Sequence, residues 1–94
     1  METEHGAGRR AMAVAVITPD GIFPTPDDYR RAYEAEPVRT VLDAAKDKLK
    51  IKDASDWDAY VDNSPIDPAK SFAHNNLSGI VEIEWHKREG GGGA

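Results

Sequence analysis

Cysteine is absent from the 94 residues, which excludes disulfides, thiolate nucleophiles and cysteine-based zinc sites. Aromatics are scarce, two Trp, three Tyr and two Phe, so a handful of large side chains must close any core. No apolar run is long enough to span a membrane. The segment Met1 to Arg10 lacks the apolar stretch of a secretion signal, and the chain is expected to be cytoplasmic. Positive charge is also short, 12 Lys and Arg against 17 Asp and Glu, a formal net charge of −5. The cations are scattered among carboxylates rather than gathered in a stripe, which argues against a nucleic-acid footprint. A chain of this size reads as one small domain with flexible ends, stabilised by close packing of a few side chains.

What is present is strongest at the C-terminal end. Residues 80–88, Ile-Val-Glu-Ile-Glu-Trp-His-Lys-Arg, alternate apolar and acidic side chains. Val81, Ile83 and Trp85 fall on one face, and Glu82, Glu84 and His86 on the other, the period of a half-buried strand. Glu89 and Gly90-Gly91-Gly92-Gly93-Ala94 follow with no turn residue to hand the strand on to another element. Glycine loses more backbone freedom on ordering than any other residue, so the tail reads as an arm that orders only in a partner's grip.

Taken in order, residues 1–10 are polar and glycine-bearing and read as a disordered leader, 11–88 as the folded domain, and 89–94 as the flexible tail. Residues 11–18 are apolar on both faces, the mark of a strand inside a sheet. Pro19-Asp20-Gly21 is a turn, and residues 22–28, with two prolines and paired acids, read as a loop from which Phe23 folds back. Residues 29–35 read as a second strand antiparallel to the first, a helical turn being the alternative. Thr40 and Asp43 have capping-box spacing, and Val38, Val41, Leu42, Ala45 and Leu49 share one helical face. Lys48, Lys50 and Lys52 follow where the helix dipole favours cations. Residues 57–61 form a third strand, with Trp57, Ala59 and Val61 on one side, turned back by Asp62-Asn63-Ser64. Ile66 is placed in a short fourth strand, and residues 70–79 in a crossing anchored by Phe72 and Leu77.

This order predicts an α+β fold: a mixed four- to five-stranded sheet with one helix on one face and the first and last strands as parallel central neighbours. The expected core is Val14, Val16, Val41, Ala45, Leu49, Trp57, Ala59, Val61, Phe72, Leu77, Val81, Ile83 and Trp85.

Within residues 11–91 the chain resembles ubiquitin and its bacterial relatives, the β-grasp family of protein modifiers. The resemblance rests on the element order, on Glu34-Ala-Glu-Pro37 leading into the amphipathic helix, on the 57–61 strand with its polar turn, and on residues 80–88 feeding Gly90-Gly91. It implies a tag rather than an enzyme. An activating enzyme would adenylate a terminal glycine carboxylate, a conjugating enzyme would receive it as a thioester, and a lysine of a target protein would take it as an isopeptide. Glycine suits such an arm because a Cβ would collide with the narrow channels it must enter.

Three departures shape the expectation. The given sequence ends in Ala94, so a processing or deconjugating peptidase would have to expose Gly90, Gly91, Gly92 or Gly93, with Gly91 and Gly93 the leading candidates for the reactive end. Glu82 and Glu84 stand where ubiquitin presents an outward His and Val, so a dedicated partner is expected to read Glu82, Glu84, His86, Lys87 and Arg88. Lys46, Lys48, Lys50, Lys52 and Lys70 are the lysines through which a further copy could be joined.

Other readings of the same residues are plainer. A Gly-rich end also suits a linker. His5, His74 and His86 lack ligand spacing, so no metal or cofactor is expected. Asp27-Asp28, Asp56 and Asp58 read as solvated turn acids, Tyr29 and Tyr33 as packing residues, and both Trp as core. A sulfur-carrier protein with a C-terminal thiocarboxylate and a non-covalent β-grasp adaptor are the alternative functions.

Overall fold

A computed structural model of the chain describes residues 10–88. Residues 1–9 and 89–94, which include all of the expected tail and most of the expected leader, lie outside the described residues. Six strands and one helix follow one another as β1 (Ala11–Thr18), β2 (Gly21–Phe23), β3 (Arg30–Tyr33), α1 (Val38–Leu49), β4 (Trp57–Val61), β5 (Ser64–Pro65) and β6 (Ile80–Lys87).

β1 and β6 pair in parallel, Val14 opposite Val81 and Val16 opposite Ile83, and every other pairing is antiparallel. β2 and β3 share the remaining edge of β1, β2 along its end and β3 along its start. The sheet is therefore five strands wide although six are present, in the order β2/β3, β1, β6, β4, β5. Residues 22–28 are thus not all loop. Thr18 Oγ accepts the Asp20 N–H and donates to the Gly21 carbonyl, closing a tight hairpin that Gly21 completes at φ +138°. The prolines at 24 and 26 hid this short strand, which ends one residue before them. Residues 29–35 form the expected strand at Arg30–Tyr33.

The capping box at Thr40 and Asp43 does not form. Pro37 is the N-cap, with no side-chain cap, and Thr40 lies inside the helix. The orphan donors are satisfied another way. Pro37 has no N–H, Val38 N–H bonds the Lys70 carbonyl (3.0 Å), Arg39 N–H the Pro68 carbonyl (2.9 Å) and Thr40 N–H the Pro37 carbonyl (3.0 Å). A loop distant in sequence caps the helix, and no local motif could announce it. At the other end Lys50 adopts a left-handed conformation, its N–H bonding the Asp47 carbonyl while Ile51 N–H reaches the Lys46 carbonyl. This Schellman turn tucks Ile51, 7% exposed, under the helix.

Asn75 holds the capping loop in shape. Its Oδ1 accepts the Asp67 N–H (2.8 Å), and its Nδ2 donates to the Asp67 (3.0 Å) and Ser71 (2.9 Å) carbonyls. Asn75→Ala is expected to cost about 2 kcal/mol, since each such bond contributes on the order of 1 kcal/mol net. Urea unfolding reads the loss, and amide exchange at Val38 and Arg39 should accelerate. A change under about 0.5 kcal/mol, the level of an unremarkable surface substitution, would remove this role.

The core lies between α1 and one sheet face. Val14, Val16, Val41, Ala45, Ala59, Phe72, Val81, Ile83 and Trp85 are buried as expected, whereas Leu49, Trp57, Val61 and Leu77 are only partly buried at its rim. Met12, Phe23, Ala32, Val38, Leu42 and Ile51 complete it. The two indoles meet edge to face, 5.2 Å between centroids at 79°. Asp62 and Asn63, both at positive φ, make the two-residue hairpin into β5. Ile66 falls just past that strand, although its N–H still bonds the Ala59 carbonyl (3.0 Å).

Short range chemistry blunts the β3 edge. The Tyr33 N–H bonds Glu36 Oε1 (3.2 Å), the Tyr33 carbonyl accepts the Glu36 N–H (2.9 Å), and Arg30 Nη1 donates to the Arg31 carbonyl (3.0 Å). Groups that would otherwise invite another strand are engaged within the chain.

Candidate functional site

The alternation of residues 80–88 settles which side of β6 is available. Val81, Ile83 and Trp85 point into the core, and Glu82 and Glu84 are exposed on the sheet face that α1 leaves open. Neighbouring strands share that face in register. Glu84 lies between Ile17 of β1 and Tyr60 of β4, and His86 lies opposite Asp58. The His86 ring stacks on Tyr60, 5.3 Å between centroids at 16°, with Nδ1 3.0 Å from the Lys87 carbonyl oxygen.

The end of β6 is fastened rather than frayed. Arg88 N–H bonds the Asp56 carbonyl (3.0 Å), its Nε and Nη2 grip the two Asp58 carboxylate oxygens (2.9 and 3.3 Å), and Lys87 Nζ lies 3.8 Å from Asp56. Asp56 and Asp58 are thus partners of the strand end, more than the solvated turn acids expected. What could have found them is their place in and just before β4, Asp58 within it and Asp56 one residue ahead, since β4 pairs antiparallel with β6 and so sets acids opposite the basic end. The chain leaves the sheet here, beside an open groove of about 600 Å³ lined by Ile17, Thr18, Pro19, Glu84, His86, Lys87 and Arg88. Of the five residues in and just after β6 expected to meet a partner, Glu84, His86, Lys87 and Arg88 gather at this groove, and Glu82 stands apart beside Ile80. Gly90, Gly91, Gly92, Gly93 and Ala94 lie outside the described residues.

The hydrogen bonds from Arg88, reinforced by its charge and opposed by partial desolvation, hold the Asp58 carboxyl below the ordinary carboxylate range. A depressed folded-state pKa stabilises fully above the unfolded value of about 3.9 and loses that contribution as pH falls through the lower folded value. The stability difference between the wild type and Asp58→Asn is therefore expected to be flat above about pH 5 and to shrink below about pH 4. Acid series of urea unfolding curves measure it, and a difference that grew on acidification would contradict the pairing.

Tyr29 and Tyr33, expected as packing residues, are 45% and 42% exposed on the open face. The Tyr29 hydroxyl donates to Glu82 Oε2 (3.1 Å), a bond that raises the phenol pKa above its usual value. Among the described residues no group of three or more His, Asp or Glu side chains is placed to hold a metal ion, and no helix is long and apolar enough to cross a membrane.

No family model matches the chain, and no curated protein matches it in sequence. Solved structures do match it in shape. A de novo designed protein based on ubiquitin superposes with a TM-score of 0.66 at 12% identity, covering 93% of this chain and 100% of that one. The N-terminal ubiquitin-like domain of the 4931431F19Rik protein, solved in solution, superposes with a TM-score of 0.56 at 13% identity, covering 96% of this chain and 88% of that domain. With one helix on a mixed sheet whose first and last strands run parallel at its centre, the chain has the ubiquitin-like β-grasp fold.

Proposed function

We propose that the chain is a ubiquitin-like protein modifier, joined to lysines of other proteins through a glycine carboxylate of its C-terminal stretch. The observation that carries this reading is the succession of β6, a central strand fastened at Arg88 by Asp56 and Asp58, by the run Gly90 to Gly93. A peptidase would first cut after one of these glycines. An activating enzyme would then attach the freed carboxylate to the AMP of ATP with release of pyrophosphate, and an enzyme thiolate would displace the AMP. After transfer to a conjugating enzyme, a lysine amine of the target would displace the thiolate and form the isopeptide. The folded body would serve as the handle. His86, Lys87 and Arg88 lie nearest the reacting end in sequence, with Glu84 and Glu82 farther back along β6, where an activating or conjugating enzyme would recognise them.

The test is made on protein recovered from its native cells. Mass spectrometry of protease digests is expected to find target lysines carrying a glycine-ended remnant of this chain, and free protein ending at Gly91 or Gly93. Free protein that always retains Ala94, with no lysine adduct, would refute the proposal. A terminal thiocarboxylate in place of adducts would move the chain to the sulfur carriers.

A further inference from the structure

Both exits from the folded body carry an arginine held by an acid in or beside a neighbouring antiparallel strand. At the start of β1 the Arg10 carbonyl accepts the Glu34 N–H (3.1 Å), and Arg10 Nε lies 3.5 Å from Glu34 Oε2. At the end of β6 the hold is tighter. The Asp56 carbonyl takes the Arg88 N–H, and Asp58 meets the guanidinium with both carboxylate oxygens. Lys87, the other half of this dibasic pair, has Asp56 within 3.8 Å. The Arg88 side chain is nevertheless 60% exposed. Ion pairs this open contribute little to stability, and none of the four residues belongs to the core. Their place in the chain is the informative feature. Every glycine of the run Gly90 to Gly93 lies downstream of Arg88, so a single cut there removes them all.

A basic-specific endoprotease needs two things from its substrate. The Arg or Lys before the scissile bond must enter a pocket with a carboxylate at its base, and the flanking backbone must be free to pair with the enzyme as an extended strand. Asp58 already gives Arg88 the two-pronged carboxylate contact that such a pocket would give. The backbone is withheld as well, because the Arg88 N–H is spent on Asp56. That N–H belongs to the Lys87–Arg88 bond, which the same hydrogen bond therefore keeps within the strand pairing. Cleavage after Arg88 has to wait for the grip to open, and its rate follows the fraction of molecules in which Arg88 has let go.

We propose that the Arg88–Glu89 bond is a cleavage site for basic-specific endoproteases and that Asp58 is the latch that keeps it shut. Hydrolysis there breaks the peptide bond, adds the hydroxyl of water to the Arg88 carbonyl carbon and leaves a proton on the Glu89 amine. Everything after Arg88 departs in one piece, and the body that stays behind no longer carries a glycine carboxylate. Opening the latch, by a partner that draws Arg88 or Asp58 to itself, exposes the bond. The proposal stands whether or not the chain is conjugated to anything.

Trypsin digestion of the full chain tests it, with a synthetic peptide of residues 82–94 as the reference in which nothing holds Arg88. Product masses show where each cut falls. At low salt the Arg88–Glu89 bond of the folded protein is expected to be cut about tenfold more slowly than that of the peptide. Raising the salt to about 0.5 M screens an exposed pair and should narrow the gap for the wild type, with no substitution made. Asp58→Asn should speed the cut by about threefold, the weight of one exposed ion pair, and Asp58→Ala by at least as much. Cutting inside the body, after Lys50 or Lys52, should keep its rate in both variants, whereas general destabilisation would quicken it. Cutting of the wild type at the peptide's rate, or a protein-to-peptide ratio that neither salt nor the variants move, would overturn the proposal. So would cuts inside the body that precede the one at Arg88, or release of the tail by cutting after Lys87 instead.

Discussion

Trp85→Ala is expected to remove about 3–5 kcal/mol of stability, the range for deleting a buried aromatic and leaving its cavity. Domains of this kind have only about 5–15 kcal/mol in total, so the variant should be substantially unfolded well below the wild-type midpoint. Trp85 is 7% exposed on the inner face of a central strand, and its indole is wedged against the edge of Trp57. Few other large side chains are present to collapse into the gap. Trp57→Ala provides the internal comparison. That ring is only partly buried, and its removal should cost clearly less. Urea unfolding followed by circular dichroism measures both, and a Trp85 loss of about 1 kcal/mol or less would mean that Phe72 and the aliphatic residues close the core without it.

The parts of this fold that local pattern controls could be read from the sequence. Alternation in residues 80–88 identified the inner and outer faces of β6, and the apolar character of residues 11–18 placed β1 at the centre of the sheet. Asp62-Asn63 gave away its hairpin because those residue types tolerate positive φ. What escaped reading was set by distant partners. The loop carrying Pro68 and Lys70 caps α1 in place of Thr40, and the left-handed turn at Lys50 buries Ile51 amid lysines. Tyr29 and Tyr33 looked like packing residues because their strand could not be assigned a covered face until its register with Ala11 and Ala13 was known. For the candidate site, the outward placement of Glu82 and Glu84 was legible. The Asp58–Arg88 grip was not, because it needs the antiparallel register of β4 with β6.

Removing residues 90–94 is expected to abolish attachment to target lysines outright while shifting the unfolding free energy by less than about 0.5 kcal/mol, the scale of a change outside packed or capped positions. Function and folding part company here because, under the proposed function, the acyl chemistry would belong to a carboxylate beyond Arg88, whereas the described core and capping bonds come from residues before it. Anti-adduct blotting alongside urea unfolding reads the two effects on one preparation. Persistence of lysine adducts after the deletion would place the acyl group elsewhere in the chain. Retained binding to a partner with no adducts in either form would favour the non-covalent adaptor.

The parallel pairing of β1 with β6 also has a bearing on how the protein is made. The ribosome delivers β1 first, and the strand that must lie along its inner edge arrives only after the helix, both hairpins and the capping loop have been synthesised. Non-local pairing of this sort is slow to form, and until it forms the inner edge of β1 has no strand partner. A polypeptide interrupted before Val81 would therefore carry an unpaired strand edge and a core lacking Val81, Ile83 and Trp85, the kind of surface on which chains associate wrongly.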